Sequence, residues 1–344
     1  MLEGGYPVRR TIHLSMATFV VAVALCAGPA SAADMTVVLA DDSPAAMDFV
    51  AHLRSVDAAS LRLTQSRIDT LDLAQLASLT DEANADSIAR GLRRSPDTDS
   101  RQAPRSSLGV LVGVGARAAR ALAERPGREP ILLALLGRVD FEILRTLPQL
   151  RSGERAVGVL LIDPPPALQL TLITALLPNA RRIGVISTPE AEPLLKSLRA
   201  AAQSSRRTWM INAARAPSSQ DLASALQTVL PTSDLLLILP DPIGATPTAS
   251  LALLQAAAVA NVPAFAANES MVRAGALAAL VPGSAQLARQ AHVLGQRLLH
   301  AQPGPPVVET AARFDVRTNP HVARRLGVAL PSDAELAAGL VPPD

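Results

Sequence analysis

Short apolar runs alternate with segments of helical periodicity along most of the chain from residue 35 onward. The runs are continuously apolar, a pattern typical of strands that helices bury on both faces of a parallel sheet. The sequence therefore predicts an α/β fold. The expected strands are Met35–Leu39, Leu61–Gln65, Leu108–Val112, Ile131–Leu135, Ala156–Ile162, Arg182–Ile186, Thr208–Ile211, Leu235–Leu239 and Val262–Ala266.

A polar break at residues 151–155 (RSGER) divides this series, and the strand–helix alternation starts again after it. One open sheet seldom needs so many β–α units, so we expect two doubly wound parallel-sheet lobes joined by a hinge. Residues 70–92 have helical periodicity, and we expect a helix there. Ligands of such sheets bind beyond the carboxyl ends of the strands, so the loops after the strands are the expected location of a site.

The first 32 residues have the three parts of a secretory signal peptide. Arg9 and Arg10 precede a short apolar run over residues 16–27, and the small-residue triplet Ala30–Ala32 follows. The run is shorter than the roughly 20 apolar residues that a membrane-spanning helix needs. We therefore expect a signal peptide over residues 1–32 and a periplasmic mature protein, with an uncleaved membrane anchor as the alternative.

Composition argues against several classes of function. The single cysteine, Cys26, lies in the predicted signal peptide, so the mature chain has no thiol nucleophile, disulfide or cysteine-based zinc site. Aromatic residues make up 2%, and 32 Lys and Arg oppose 30 Asp and Glu, which does not suit nucleic-acid binding. The histidines lack metal-ligand spacing, and neither a nucleophile elbow nor a Walker lysine loop occurs. We expect no enzyme activity, no metal, no cofactor and no nucleic-acid partner.

Residues 113–118 match G-x-G-x-x-A between a predicted strand and a helix. Such a turn presents backbone N–H groups to an anion at the start of the helix. Gly115 and Ala116 are therefore candidate ligand-binding residues. Three interpretations stay open, and we favour them in this order: a plain structural turn, a carboxylate site and a nucleotide site. The nucleotide comes last because the turn follows the third expected strand rather than the first.

Polar residues also follow two other expected strands. The paired carboxylates Asp41 and Asp42 stand with Ser43 just before Pro44 in the first such loop. Capping of the next helix explains these residues, and a ligand contact by one of the two carboxylates is the alternative, so Asp42 and Ser43 are candidate ligand-binding residues. Asp241 follows the expected strand Leu235–Leu239. Its carboxylate is a candidate contact for a ligand amine.

Two stretches in the second half of the chain carry further motifs. Residues 261–280 read NVPAFAANESMVRAGALAAL, and residues 176–185 read LLPNARRIGV. The first is similar to a strand of the form IPVFA followed by an acidic-Ser-Met-Val turn, and the second is similar to the motif LLPxAxRVGV. Both motifs are those of bacterial ABC-transporter substrate-binding proteins of the tryptophan/tyrosine type, which the chain therefore resembles.

This resemblance implies a type I periplasmic-binding-protein fold in which two lobes close on a small ligand. The N-terminal lobe would comprise residues 33–153 and about 282–308, and the second lobe residues 154–281 and the tail 309–344. The implied function is that of an exported solute-binding protein of an ABC importer, and its implied partner is an inner-membrane permease. We expect a monomer with a small amino-acid-like or carboxylate ligand.

For such a two-lobed protein we expect ligand contacts in both lobes. Backbone N–H groups near Ala116 would hold a carboxylate, and Asp241, Asn268 and Glu269 would contact an amine or a polar group. The chain departs from the family where residues 115–119 (GARAA) replace a helix start that carries a hydroxyl. Two alternatives therefore stay open: a relative that has lost ligand binding and acts as a partner or sensory module in the cell envelope, and a nucleotide-using α/β enzyme.

Overall fold

The structure, a computed structural model, describes residues 35–59, 68–78, 109–332 and 335–336. The predicted signal peptide and the expected strand Leu61–Gln65 lie outside the described residues. The described part of the chain forms two sheets of six strands each. Both sheets belong to one unit of the chain, and we call them, with the helices that cover them, the N-terminal lobe and the second lobe.

The sheet of the N-terminal lobe has six parallel strands. They are β1 (Met35–Leu39), β2 (Ile68–Asp72), β3 (Val110–Val114), β4 (Ile131–Leu136), β5 (Val157–Leu161) and β11 (Val307–Thr310). Their order across the sheet is β11-β5-β4-β3-β1-β2. The carboxyl ends of all six strands therefore lie at the same edge.

The sheet of the second lobe repeats this arrangement with one antiparallel strand at its edge. Its strands are β6 (Arg182–Ser187), β7 (Met210–Arg215), β8 (Leu235–Ile238), β9 (Ala264–Ala266), β10 (Ala278–Pro282) and β12 (Phe314–Thr318). Their order is β12-β10-β9-β8-β6-β7, and β12 runs antiparallel to β10.

Helices connect most of the strands and cover both faces of each sheet, so the core divides into four apolar clusters, two for each sheet. Proline occupies the first turn of many helices, where its missing N–H costs nothing. The helices are α1 (Pro44–Ala59), α2 (residues 73–78), α3 (Gly115–Glu124), α4 (Arg138–Leu144), α5 (Pro148–Arg151), α6 (Pro166–Leu176), α7 (Glu192–Ser204), α8 (Leu222–Val229), α9 (Pro242–Ala245), α10 (Pro247–Val259), α11 (Glu269–Ala274), α12 (Ser284–Leu299) and α13 (Pro320–Leu326). The predicted α/β class with two parallel-sheet lobes is confirmed.

The structure contains three strands that the sequence analysis did not expect, β10, β11 and β12, and it corrects two further expectations. Residues 70–72, expected to begin a helix, belong to β2, because they pair with β1. The strand β5, which the expected boundary after residue 153 left in the second lobe, pairs with β4 and β11 in the N-terminal lobe. The polar break before it includes Arg155, which is 2% exposed and donates through Nη2 to the carbonyl oxygens of Leu122 and Ala123 at the end of α3. Residues 151–155 therefore lie within the N-terminal lobe and do not mark the boundary between the lobes.

The chain passes between the two sheets after β5, after β10 and again after β11. The connecting residues are 162–165, 283 and 311–313. Across the described ranges, no helix combines the length and the apolar character that crossing a membrane requires.

Candidate functional site

The carboxyl ends of β1, β3 and β4 surround a cavity of about 290 Å³ in the N-terminal lobe. Asp41 and Ser43 reach it from the loop after β1, and the first turn of α3 forms a second wall. This cavity lies where a doubly wound sheet binds its ligands. Its full lining is Ala40, Asp41, Ser43, Ala45, Ala46, Val114, Gly115, Ala116, Arg117 and Leu135.

Two glycines shape the wall that α3 contributes. A Cβ atom on Gly113 would lie 3.0 Å from Leu122 Cδ1 and 3.1 Å from the backbone of Ala118, so the missing side chain lets α3 pack closely on β3. Gly115 has a φ of +81°, a conformation that glycine adopts without strain. No side chain caps the start of α3, so its first-turn N–H groups make no hydrogen bond to a cap.

A local distortion of β4 adds Leu135 to the cavity. The pairing of β4 with β5 shifts register between Leu133 and Leu136, and Leu135 has a φ of +53°. Positive φ is uncommon for a branched residue, and bulges of this kind often turn a side chain at the edge of a binding site. This distortion could not be predicted, because residues 131–136 are uniformly apolar.

The loop after β1 caps α1 as the sequence predicted. Ser43 Oγ accepts a hydrogen bond from the Ala46 backbone N–H at 3.4 Å, and Asp41 Oδ1 accepts one from the Ser43 N–H at 3.2 Å. Asp41 lines the cavity, whereas Asp42 is exposed and does not. A ligand contact by Asp42 therefore stays a prediction.

Arg117 is the residue of this cavity that the sequence analysis missed. It is exposed, stands in the first turn of α3 and forms no ion pair or hydrogen bond with a described residue. Its position within the G-x-G-x-x-A motif, two residues after Gly115, is the signal that could have identified it. The cavity thus combines Ser43, Gly115 and Ala116 with a cation that has no partner among the described residues.

In the second lobe, Asp241 is buried, with 3% of its surface exposed. Its Oδ1 accepts a hydrogen bond from the Gly244 N–H at 2.7 Å, which caps α9, and its Oδ2 accepts one from the Thr188 N–H at 2.9 Å. Burial raises the pKa of Asp241 despite these bonds. The side chain therefore joins the loop after β6 to the loop after β8.

Asn268 and Glu269 also make contacts within the second lobe. Asn268 Oδ1 accepts hydrogen bonds from the Met271 N–H at 3.0 Å and the Ser270 hydroxyl at 2.7 Å, and so caps α11. Glu269 pairs with Arg273 at 2.7 Å and lies 3.7 Å from Arg317. The structure places these two residues and Asp241 outside the cavity of the N-terminal lobe, so their ligand contacts stay predictions.

A second cavity, of about 150 Å³, is lined by residues of both lobes. The N-terminal lobe and its connections contribute Arg138, Asp163 and Thr310 to the lining. The second lobe contributes Leu194 and Leu239. Asp163 Oδ2 accepts a hydrogen bond from the Arg138 N–H at 2.5 Å. This bond ties the connection after β5 to the start of α4.

Asp140 and Asp163, near the connection after β5, should make the stability of the protein depend on pH. Burial raises the pKa of Asp163 and of Asp140 above the ordinary value of 3.8, and the charge of Asp140 raises the pKa of Asp163 further. The folded state then holds these protons more tightly than the unfolded state, so this contribution to stability is present below pH 3.8 and disappears as pH rises through the raised pKa values. We expect Asp140→Asn to reduce this loss. Denaturant unfolding from pH 4 to 7 measures it, and an identical pH dependence of the two proteins would contradict the expectation.

Most of the chain matches a known protein family. The model described as "ABC transporter substrate binding protein" matches residues 97–340, which is more than half of the chain. The chain belongs to this family. The membership agrees with the resemblance that the motifs at residues 176–185 and 261–280 indicated.

Solved structures with the same two-lobed fold come from several bacteria. A conserved domain protein from Vibrio cholerae is 25% identical, with a TM-score of 0.57 over 89% of this chain and 98% of that one. An ABC domain from Streptococcus pneumonia in complex with L-Trp is 18% identical, with a TM-score of 0.59 over 89% and 98%. A ligand-free, open substrate binding protein with adhesive properties from Clostridium difficile is 17% identical, with a TM-score of 0.61 over 87% and 96%. The comparison with curated proteins gives no match.

The cavity of the N-terminal lobe lies at the edge of the sheet formed by the carboxyl ends of its strands. Within the described ranges, no three His, Cys, Asp or Glu side chains are grouped as a metal ion would require.

Proposed function

We propose that this protein is a periplasmic solute-binding protein of an ABC importer, and that its two lobes close on a small amino-acid-like or carboxylate ligand. The observation that carries the proposal is the cavity at the carboxyl ends of β1, β3 and β4, in which Arg117 has no partner among the described residues. Membership of the substrate-binding family supports it.

The anionic group of the ligand would bind at the start of α3. The N–H groups of Ala116 and Arg117 belong to the first turn, which no side chain caps, and an anion at this position also interacts favourably with the helix dipole. The Arg117 guanidinium adds a full positive charge at the same wall. A carboxylate fits this combination, because it accepts hydrogen bonds in two directions.

Closure of the lobes would then follow from contacts that the ligand makes with both. A ligand shifts an open–closed equilibrium only by its difference in affinity for the two states. We assign Asp241 an indirect part in this step, because both of its oxygens hold backbone N–H groups of the second lobe's cleft-edge loops. The closed form of a monomer would pass the solute to an inner-membrane permease.

A thermal-melt screen of the mature chain from Ala33 tests the proposal. The panel comprises amino acids, small carboxylates, nucleosides and nucleotides. A ligand at about 100 times its Kd adds roughly 2.7 kcal/mol to the stability, which shifts Tm by several degrees. A shift with amino acids or carboxylates supports the proposal. A shift with nucleotides alone would support the enzyme alternative, and no shift with any class would support a relative that has lost ligand binding.

The variant Ala116→Asp tests the location of the site. Ala116 is exposed and lines the cavity, so a carboxylate there fills the space and repels an anionic ligand. Acidic residues in the first turn of a helix are compatible with folding. We expect the Kd of the ligand found in the screen to rise at least tenfold, by about 1.4 kcal/mol.

Ala223→Asp is the matched control. Ala223 is exposed in the first turn of α8, and it lines neither cavity described above. Isothermal titration calorimetry should give this control the affinity of the unchanged protein. Equal affinity of the Ala116→Asp variant would place the ligand elsewhere.

A further inference from the structure

The cavity of the N-terminal lobe has two charged side chains of opposite sign in its lining. Arg117 comes from the start of α3 and Asp41 from the loop after β1. Neither forms an ion pair with the other or with any described residue. Asp41 uses Oδ1 for the Ser43 N–H, which leaves Oδ2 without a partner in the described part of the chain. A cation site and an anion site are thus both available within one cavity.

We infer that the N-terminal lobe alone binds both charges of a zwitterionic ligand: Arg117 binds its carboxylate and Asp41 its ammonium group. This inference rests on the proposed function and specifies its ligand. It differs from the expectation that a ligand amine contacts Asp241 in the opposite lobe. The second lobe would then close over a ligand that is already held by its two charges.

The acids of the second lobe support this assignment. Asp241 is buried and gives both oxygens to backbone N–H groups. Glu269 is paired with Arg273 and lies near Arg317. Glu190, in the turn after β6, is exposed but lines neither cavity. Asp41 is therefore the acid that shares a cavity with Arg117.

The rest of the cavity indicates the size and polarity of the ligand. Its volume of about 290 Å³ is at the small end of ligand pockets, which run from about 300 to 1,000 Å³. Apart from Asp41, Ser43 and Arg117, its lining consists of small or aliphatic residues. A small α-amino acid with an aliphatic side chain meets both conditions, because its charged end would face Arg117 and Asp41 and its side chain the apolar walls.

The test uses the mature chain and the twenty L-amino acids as probes. Each amino acid that binds is also measured by calorimetry as its amide, which lacks the carboxylate, and as its N-acetyl derivative, which lacks the ammonium charge. We expect each derivative to bind at least tenfold more weakly than the free amino acid. We expect Arg117→Gln to weaken the free amino acid at least tenfold and to reduce its advantage over the amide. Asp41→Asn should also weaken the free amino acid at least tenfold and should reduce its advantage over the N-acetyl derivative. The amide oxygen of the asparagine can still accept the hydrogen bond from the Ser43 N–H.

Arg120→Gln and Asp48→Asn are the controls. Arg120 lies on the same helix as Arg117 and pairs with Glu124, and Asp48 lies on α1 and pairs with His52; all four side chains are exposed. Both controls should bind as the unchanged protein does. Unaltered affinity in Arg117→Gln or Asp41→Asn, or equal binding of the derivatives, would overturn the inference and leave the proposed function standing. If simple carboxylates bind and amino acids do not, the role assigned to Asp41 is wrong and that of Arg117 stands. If no probe of the wider screen binds, both the inference and the proposed function are wrong.

Discussion

Asp241→Ala is expected to lower the free energy of unfolding by about 3 kcal/mol. The carboxylate accepts hydrogen bonds from the N–H groups of Thr188 and Gly244, and the residue is 3% exposed. Its removal leaves two buried donors without an acceptor, at a cost of roughly 1–3 kcal/mol each. Denaturant unfolding at neutral pH measures the loss.

Asp241→Asn separates the lost bonds from the lost charge. Its amide oxygen can replace one of the two acceptors, and the neutral group avoids the burial cost that raises the pKa of Asp241. We therefore expect a loss smaller than that of the alanine variant. If alanine and asparagine both leave the stability unchanged, the two bonds do not hold these loops together, and the indirect part assigned to Asp241 in closure is wrong.

Gly113→Val is expected to lower the free energy of unfolding by about 2 kcal/mol and to weaken ligand binding as well. A Cβ at this position would already lie 3.0 Å from Leu122 Cδ1 and 3.1 Å from the Ala118 backbone, and valine adds two further methyl groups. Overpacking of this kind typically costs about 1–3 kcal/mol. Because α3 must move away from β3, Ala116 and Arg117 would move with it. Unfolding and calorimetry on the same protein measure the two effects.

The matched control for this variant is Gly304→Val. A Cβ on Gly304 would meet no atom within 4 Å, and the residue lies in the loop between α12 and β11. We expect a stability within about 0.5 kcal/mol of the unchanged protein and the same affinity. An equal loss in both variants would mean that adding a β-branched side chain, rather than displacing α3, causes the effect.

Most of the buried strands could be predicted from the sequence because both of their faces are apolar, although β10, which lies between β9 and β12, was not expected. The expected strand Ile131–Leu135, for example, corresponds to β4 at Ile131–Leu136. The edge strands β11 and β12 were not predicted, since one side of an edge strand faces solvent and its sequence is mixed. Val307 and Val308 of β11 are 41% and 42% exposed, and β12 alternates half-buried and exposed residues. Membership of β5 in the first sheet depends on tertiary pairing, which the polar residues before it do not reveal.

The candidate site could be predicted only in part. Sequence position placed Ser43, Gly115 and Ala116 after strands whose carboxyl ends meet, and the structure brings all three to one cavity. The sequence could not show which side-chain oxygens already accept hydrogen bonds from backbone N–H groups. Asp241 and Asn268 have the chemistry of ligand contacts, but their oxygens are bonded to N–H groups of their own lobe. Arg117 was missed because a charged residue on a helix is usually just solvated.

The three passages of the chain between the sheets determine the order in which the lobes can be completed. Synthesis proceeds from the N-terminus, and β11 and β12, which follow all the other described strands along the chain, form the outer edges of the two different sheets. A nascent chain that ends near residue 300 therefore lacks one strand of each sheet. Neither lobe corresponds to a contiguous fragment that could be produced separately, and a truncation before Val307 would damage both.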